Sequence, residues 1–275
     1  MFIGNESIDL ELTLIESAQC FSWTKIGNRF GTVLKGEPVW LESREDGVYA
    51  DGGSVEMLRD YLDLDRDYAA IAREYAHLPV AQRAMDLYPG MRVLNQETWS
   101  TLVTFIISAN NNVVRIRKLC DALAGCCGNV FELPQATLYG LPTPESLAAC
   151  SEEQLRGIGM GYRAPYLIKT AQMVCDGFPL NELHRMEYAE AHAKLTELAG
   201  VGDKVADCVL LFGCRHASAF PVDTWVEKLL KSWFGVEAKG RKKMLDVSRE
   251  MLGAHAGLLQ QFLFHAARTG GITLD

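Results

Sequence analysis

The first fifty residues alternate apolar and polar side chains in short segments. The two-residue period is clearest at residues 21–24 and 38–41. Turn-forming pairs separate these segments at Gly27-Asn28, Lys35-Gly36 and Asp46-Gly47. Because short alternating runs joined by tight turns are typical of paired strands, we predict a small antiparallel sheet over residues 8–51.

Beyond about Val55 the apolar positions follow the period of helices. After Pro89-Gly90 the pattern is helical almost to the end of the chain. We therefore predict an α+β protein with two domains. Residues 1–90 would form the N-terminal antiparallel sheet domain, and residues 91–275 a mostly α-helical core.

A glycine hairpin lies inside the predicted core. Gly200-Val201-Gly202 joins two helical segments, so that a helix-hairpin-helix is expected at about residues 187–213. Two glycines around one apolar residue let the backbone turn sharply and expose its amides. Free amides at the start of a helix favour an anion, and a DNA phosphate suits so short a hairpin.

Lys204 and Asp223 are the candidate catalytic side chains. Lys204 lies in the first turn of the second helix, where the positive end of the helix dipole favours a neutral, nucleophilic amine. Asp223 follows Pro221-Val222 and is predicted to cap the next helix as an ionised carboxylate. Such a pair can cleave a glycosidic bond, because the anion stabilises an oxocarbenium-like sugar while the amine attacks C1′. The alternative is a solvated lysine and a purely structural cap.

The hairpin, Lys204 and Pro221-Val222-Asp223 together resemble the helix-hairpin-helix DNA glycosylase superfamily, and more closely the 8-oxoguanine DNA glycosylases. The resemblance extends from about residue 9 to residue 268. It implies a bifunctional glycosylase and abasic-site (AP) lyase, in which Lys204 forms a Schiff base with the sugar and Asp223 is the essential acid. No cofactor is required for this chemistry, although the hairpin carbonyls of this family can hold a monovalent cation.

The resemblance also implies the DNA contacts. Duplex DNA containing 8-oxoguanine is the expected partner, and the hairpin residues Gly200, Val201 and Gly202, with Trp225, are expected at its phosphates. Asn110 would fill the gap left by the flipped base, Arg115 and Arg163 would contact the opposite cytosine, and Tyr162 would wedge between base steps.

Each of these residue types also has an ordinary structural explanation. The Asn-rich turn at residues 108–115 is equally typical of a helix-capping cluster. Residues 157–164, which contain Tyr162 and Arg163, repeat the Gly-apolar-Gly scheme of the hairpin. They either grip the duplex at a second place or form a plain helix connection.

The flipped base is expected to meet four side chains. Cys208 lies four residues after Lys204, on the same helix face. Gln260 and Phe264 are related in the same way on a later helix. The resemblance implies that Cys208 and Phe264 enclose the purine and that Gln260, or its neighbour Gln261, reads its Watson–Crick edge. The structural alternative for Cys208 and Phe264 is an ordinary place in the core.

Three positions depart from the family. Ala18 replaces the glycine whose carbonyl accepts the proton that distinguishes 8-oxoguanine from guanine, and this carbonyl is retained only if the backbone torsions suit a Cβ. Ser22 replaces an arginine, and Trp225 replaces a phosphate-contacting histidine, although its indole N–H can still donate. A wider pocket for alkylated or other damaged bases is the first alternative function. A non-catalytic hairpin DNA-binding repair protein is the second.

Composition adds limits to this interpretation. The 275 residues are 48% hydrophobic and 23% charged, as in an ordinary globular protein. No apolar run of membrane length and no signal peptide is present, so we expect a cytoplasmic, DNA-associated monomer. The eight cysteines suit reduced thiols without a metal site, and the C-terminal four-cysteine cluster of the endonuclease III branch is absent.

The net charge of −8 is unusual for a DNA-binding protein. Its distribution is uneven, since residues 1–95 sum to about −7 and residues 96–275 to about −1. We therefore expect the second part of the chain to contact DNA, through local cationic sites and with a strong dependence on salt.

Overall fold

A computed structural model describes residues 1–236 and 241–273 of the chain. Residues 237–240 and the last two residues of the predicted core, 274–275, lie outside the described residues. Five antiparallel strands form the N-terminal sheet, in the order β1-β5-β4-β3-β2. The strands are β1 (Phe2–Gly4), β2 (Thr24–Ile26), β3 (Arg29–Leu34), β4 (Glu37–Arg44) and β5 (Gly47–Asp51). The predicted α+β class is confirmed.

The predicted turn at Lys35-Gly36 joins β3 to β4. Both residues have positive φ, 49° and 78°, as a two-residue hairpin with the twist of its strands requires. The pairing that follows places Gly31 opposite Trp40. A Cβ on Gly31 would meet the Trp40 ring at 2.7 Å, so the absence of a side chain at Gly31 leaves room for the indole on the sheet.

The predicted sheet was wrong at its beginning. Leu12–Glu16 forms a short π-helix, and the edge strand β1 lies before it. The Asp9 carboxylate accepts a hydrogen bond from the Leu12 amide, 2.9 Å long, which starts the turn. Leu12 packs in the helical core while Leu14 packs under the sheet. The alternating segment at residues 21–24 also lies mostly outside the sheet, because β2 begins only at Thr24.

Thirteen α-helices are described. They are α1 (Val55–Tyr61), α2 (Tyr68–Glu74), α3 (Pro79–Leu87), α4 (Thr98–Ser108), α5 (Val113–Cys127), α6 (Pro144–Ala148), α7 (Glu152–Gly157), α8 (Ala164–Cys175), α9 (Tyr188–Thr196), α10 (Asp203–Gly213), α11 (Thr224–Phe234), α12 (Arg241–Leu252) and α13 (Ala256–Thr269). Short 3₁₀ turns at Gly161–Arg163, Leu180–Arg185 and Gly253–His255 connect some of them. No described helix is long and apolar enough to cross a membrane.

The region after residue 90 is mostly helical, as predicted, but it contains one pair of strands that the sequence pattern did not indicate. A two-stranded hairpin, β6 (Val130–Leu133) and β7 (Ala136–Tyr139), separates α5 from α6 and packs against β3. β-branched and aromatic residues recur in its strands, which suits an extended backbone. The segment is too short for its period to stand out between long helices.

Two hydrophobic cores support the fold. The sheet core contains Trp23 and Leu41 and is closed by Leu58 of α1. The larger helical core is built around α4 and α10, where the Phe105 and Phe212 rings stack with centroids 5.4 Å apart. The helices α2 and α3 contribute to this larger core, so the chain before residue 90 serves both cores. The domain boundary near residue 90 stays a prediction.

Candidate active site

A cleft of about 800 Å³ opens where the end of α4, the starts of α10 and α11, and one face of α13 meet. The predicted site residues in its wall are Ala18, Asn110, Gly200, Gly202, Lys204, Cys208, Asp223, Trp225, Gln260 and Phe264. These residues come from positions more than two hundred apart in the chain. Arg115, Tyr162, Arg163 and Val201 are not part of the cleft wall.

Lys204 occupies the first turn of α10 and is half-buried. Its Nζ lies 3.1 Å from Ser108 Oγ and 5.2 Å from the centre of the Phe105 ring. The Ser108 hydroxyl donates to the Phe105 carbonyl at 2.8 Å, so it accepts from the lysine. The end of α4 therefore holds the amine against the cleft wall. The sequence did not single out Ser108, whose only signal was its place just before the Asn-rich turn.

Asp223 is the N-cap of α11, as predicted. Its Oδ1 accepts hydrogen bonds from the Trp225 and Val226 amides, each 2.9 Å long. Within residues 1–236 and 241–273, its Oδ2 has no hydrogen-bond partner. One oxygen therefore fixes the carboxylate, and the other remains available to a ligand in the cleft.

Cys208 also lines the cleft, one turn after Lys204 on α10. Burial raises the pKa of its thiol to about 12, while Lys204 lowers that pKa and Asp223 raises it through their charges. The thiol is therefore neutral at physiological pH. Because the thiolate is the nucleophilic form, Cys208 offers an uncharged surface for a ligand and does not compete with the amine as a nucleophile.

The two neighbouring glutamines of α13 have different surroundings. Gln261 is buried, and its Nε2 donates to the Ser17 carbonyl at 2.7 Å. Gln260 makes only a long contact, 3.4 Å, from Nε2 to the Pro221 carbonyl, and its buried Oε1 has no described partner. Since Gln260 and the half-buried Phe264 both line the cleft, Gln260 has an amide group free for a ligand.

The backbone torsions at Ala18 do not suit a Cβ, contrary to the condition expected from the sequence. The φ of Ala18 is +60°, in the left-handed region that costs a residue with a Cβ about 1–2 kcal/mol. Within the described residues no group hydrogen-bonds to its carbonyl. The structure therefore keeps an unpartnered carbonyl at the cleft wall in spite of the added methyl group.

The three asparagines of the Asn-rich turn have separate roles. Asn112 is the N-cap of α5 and accepts from the Arg115 amide at 2.9 Å. The Asn111 side chain donates to the Ile107 carbonyl at 3.2 Å. Asn110 is exposed, has a φ of +48° and donates only to the Tyr162 hydroxyl, at 3.3 Å. Two of the three side chains stabilise the turn, and Asn110 projects from it.

Arg163 ties the second glycine element to this turn. Its guanidinium is buried and donates to the carbonyls of Ala109 and Asn110. It also stacks on the exposed Tyr162 ring, 4.5 Å from the ring centre. Arg115, in contrast, is exposed, and its guanidinium has no described partner. Of the two arginines predicted to read a cytosine, only Arg115 is free in this structure.

The glycine hairpin has the predicted form, with α9 and α10 on either side. Gly200 has a φ of +77°, and a Cβ on it would meet Tyr166 at 2.8 Å. Val201 is buried, whereas Gly202 is exposed and caps α10 with open space around it. The free amides of the α10 N-terminus therefore face solvent beside Lys204, a geometry suited to a phosphate.

Trp225 stands at the rim of the cleft, 49% exposed. The Nζ of Lys228, one turn further along α11, lies 5.7 Å from the centre of its ring. Within the described residues the indole N–H and the Lys228 amine have no hydrogen-bond or ion-pair partner. A cation thus accompanies the tryptophan where the family carries a histidine.

Metal ligands are not clustered in the part of the chain that the structure describes. No group of three or more His, Cys, Asp or Glu side chains there could hold a metal ion, and the eight cysteines are free thiols.

Comparison with known proteins defines the family. The chain belongs to the HhH-GPD superfamily of base excision DNA repair proteins, whose family model matches residues 103–252. Within that class, residues 1–102 match the N-terminal domain of 8-oxoguanine DNA glycosylases. The resemblance inferred from the hairpin and Pro221-Val222-Asp223 is confirmed.

Individual relatives agree with this assignment. The N-glycosylase/DNA lyase of Saccharomyces cerevisiae is 35% identical, over 91% of this chain and 81% of its own. A probable N-glycosylase/DNA lyase of Methanothermobacter thermautotrophicus is 29% identical, over 68% of this chain and 67% of its own. The Clostridium acetobutylicum 8-oxoguanine glycosylase/lyase, in complex with duplex DNA containing cytosine opposite 8-oxoguanine, has a TM-score of 0.90 at 32% identity, covering 97% of this chain and 94% of that one.

Proposed function

We propose that this protein is a bifunctional DNA glycosylase and AP lyase that excises 8-oxoguanine paired with cytosine from duplex DNA, in base excision repair. The observation that carries the proposal is that Lys204, with its amine, and the capped Asp223, with one free oxygen, line the same cleft of about 800 Å³. The names of the relatives, N-glycosylase/DNA lyase and 8-oxoguanine glycosylase/lyase, support the same activity. Such an enzyme acts at cellular DNA.

Lys204 is the proposed nucleophile. Its neutral amine attacks C1′ of the damaged nucleotide as the bond from C1′ to the base breaks, and the base leaves with a proton. Opening of the sugar ring gives a Schiff base, which permits β-elimination of the 3′ phosphate and so cuts the strand. The Asp223 carboxylate stabilises the positive charge that develops on the sugar.

The base pocket accounts for selection of the lesion. The neutral Cys208 thiol and the Phe264 ring are proposed to lie on either face of the flipped purine. The Gln260 amide, whose Oε1 is unpartnered, reads its Watson–Crick edge, and the Ala18 carbonyl accepts from N7–H. Guanine has a lone pair at N7 in place of that hydrogen. A carbonyl acceptor at this point therefore favours the oxidised base.

The opposite strand is proposed to meet the Asn-rich turn. Asn110 projects from the turn and would fill the gap, with the exposed Tyr162 as the neighbouring wedge. Arg115 is free to hydrogen-bond the orphaned cytosine. Arg163 holds the turn through two carbonyls and would support the contact of Arg115 with the same base. The hairpin amides and the Trp225 indole would contact phosphates.

A monovalent cation at the hairpin is part of the proposal. The carbonyl oxygens of Gly200 and Val201 have no hydrogen-bond partner within residues 1–236 and 241–273, so the hairpin offers oxygen ligands. A cation bound there would add positive charge for a DNA phosphate.

Borohydride trapping tests the proposal. Reduction of the Schiff base should link wild-type protein covalently to an 8-oxoguanine:cytosine duplex, while Lys204→Gln should give no adduct. The matched control is Lys194→Gln, which removes an α9 lysine that forms an ion pair with Glu197. This variant should trap normally. An adduct that persists in Lys204→Gln would place the nucleophile elsewhere.

The same assay separates the alternative functions. Trapping on alkylated bases but not on 8-oxoguanine would favour the wider-pocket alternative. Binding without trapping on any lesion or abasic site would favour a non-catalytic DNA-binding protein.

A further inference from the structure

Ala18 occupies a strained backbone conformation at the point where the proposed pocket meets the base. Alanine disfavours a φ of +60°, so neighbouring interactions must hold the residue there. Its own carbonyl and amide have no partner within the described residues. The force that fixes its conformation therefore comes from the residues on either side.

Helix α13 holds the residues before Ala18. The buried Gln261 side chain donates to the Ser17 carbonyl at 2.7 Å, and the Arg268 guanidinium donates to the Glu16 carbonyl. Two consecutive carbonyls at the end of the π-helix are thus tied to one helix. That same helix presents Gln260 and Phe264 to the cleft, whose wall also includes Gln261 and Arg268.

A separate set of hydrogen bonds holds the residue after Ala18. The fully buried Gln19 amide donates to the Thr13 and Arg92 carbonyls at 3.2 and 2.8 Å, and its Oε1 accepts from the Leu94 amide at 2.8 Å. The Gln19 carbonyl accepts from Gln96 Nε2 at 2.8 Å. Both neighbours of Ala18 are therefore fixed while its own peptide groups stay free.

We infer that Gln261 and Arg268 are positioning residues for recognition of the oxidised base: they hold Ala18 in the left-handed conformation that presents its carbonyl to the N7–H of 8-oxoguanine. This inference rests on the proposed function of the cleft. Neither side chain needs to touch the base. The Gln261 Nε2 is committed to the Ser17 carbonyl, so in this inference Gln261 acts through Ser17 and Gln260 reads the edge of the base.

The physical consequence is a coupling between strain and hydrogen bonding. Without the bonds from α13, an alanine at position 18 relaxes toward negative φ and its carbonyl turns away. A glycine has no preference against positive φ, so it depends far less on those bonds. The substitution Ala18→Gly should therefore rescue excision in variants that lack the α13 bonds.

The experiment compares two substrates for each variant in single-turnover assays. Excision of 8-oxoguanine opposite cytosine reports on base recognition, whereas strand cleavage at a preformed abasic site uses the same amine without any base. Gln261→Leu and Arg268→Met remove the donors and keep the bulk. We expect excision to fall about tenfold and abasic-site cleavage to stay within about twofold of wild type. Arg268→Lys, which can still donate, should retain excision.

The double variant Gln261→Leu with Ala18→Gly should recover most of the lost excision. Unchanged excision in both Gln261→Leu and Arg268→Met, or an equal loss on both substrates, would overturn the inference. If Gln261→Leu does not fold, excision and abasic-site cleavage are compared in Arg268→Met, whose site is partly exposed. Wild-type protein inactive on both substrates would instead overturn the proposed function, and this inference with it.

Discussion

Lys204 Nζ and Ser108 Oγ lie 3.1 Å apart, although their residues are separated by 96 positions in the chain. The bond joins the first turn of α10 to the last residue of α4. It limits the directions in which the amine can point. A flexible lysine is thereby held in the cleft, with its nitrogen near the proposed position of the sugar.

Ser108→Ala should slow excision without weakening DNA binding. Loss of one neutral hydrogen bond is worth about 1 kcal/mol, so we expect roughly a fivefold fall in the single-turnover rate. Ser248→Ala is the matched control, because this buried hydroxyl also donates to a helix carbonyl, at 2.8 Å, and no lysine bonds to it within the described residues. Equal rates in the two variants would mean that Ser108 does not position the amine.

The two hairpin glycines should respond differently to alanine. Gly200→Ala places a Cβ 2.8 Å from Tyr166 at a φ of +77°, so we expect destabilisation of about 1–3 kcal/mol in urea unfolding. Gly202→Ala has open space and an extended φ of −99°, so folding should change by less than about 1 kcal/mol. Its methyl group would still stand between the α10 amides and a phosphate, which should weaken DNA binding. The reverse order of stabilities would contradict this account.

Arg115→Ala should relax the preference for the opposite base. A guanidinium that hydrogen-bonds a cytosine contributes about 1–3 kcal/mol of discrimination, so the ratio of excision rates opposite cytosine and adenine should fall about tenfold. Wild-type protein should be slower opposite adenine. Lys118→Gln, an exposed cation on the same helix, is the control. Equal wild-type rates opposite both bases would refute the assigned role.

Lys228 should supply the charge that Trp225 lacks. If the Lys228 amine neutralises one phosphate, Lys228→Gln should reduce the slope of log K against log salt by about 0.9. Trp225→Phe removes only an N–H donor and should weaken binding with the slope unchanged. Fluorescence anisotropy over a salt series measures both effects, with Lys194→Gln as the reference. An unchanged slope in Lys228→Gln would show that the lysine does not contact a phosphate.

Asp207 should make stability depend on pH. It lies on α10 beside Cys208, where burial raises its pKa from 3.8 to about 7, while the Tyr188 hydroxyl at 2.6 Å and Arg249 at 3.6 Å lower it. The folded protein then binds one more proton than the unfolded chain between about pH 4 and pH 7. Its stability contribution is present below pH 4 and is lost as the pH rises through 7.

Asp207→Asn should remove this dependence. Between pH 4 and pH 8 the wild type should lose up to roughly 4 kcal/mol of unfolding free energy relative to Asp207→Asn. Urea unfolding at several pH values measures it, with the exposed Asp203→Asn on the same helix as control. Parallel pH profiles for wild type and Asp207→Asn would show that the carboxyl titrates normally.

Local patterns were sufficient where the chemistry is local. The glycine hairpin, the capping role of Asp223 and the Lys35-Gly36 turn each depend on a few adjacent residues, and each is as predicted. The π-helix at Leu12–Glu16 and the β6–β7 hairpin were missed. In the first, burial on two sides imitates a strand, and in the second, four-residue strands are too short to show a period.

By itself, the sequence determined the helix-hairpin-helix, the cap that fixes Asp223 and the family, because backbone torsions and hydrogen bonds between near neighbours are set by residue type. Only the tertiary structure decided which side chain holds the Lys204 amine. It also decided which glutamine and which arginine remain free for a ligand. Ser108 reaches Lys204, Gln261 is bonded to Ser17, and Arg163 is committed to the Asn-rich turn, through contacts between distant segments. Such contacts depend on how the helices pack, and no local pattern encodes that packing.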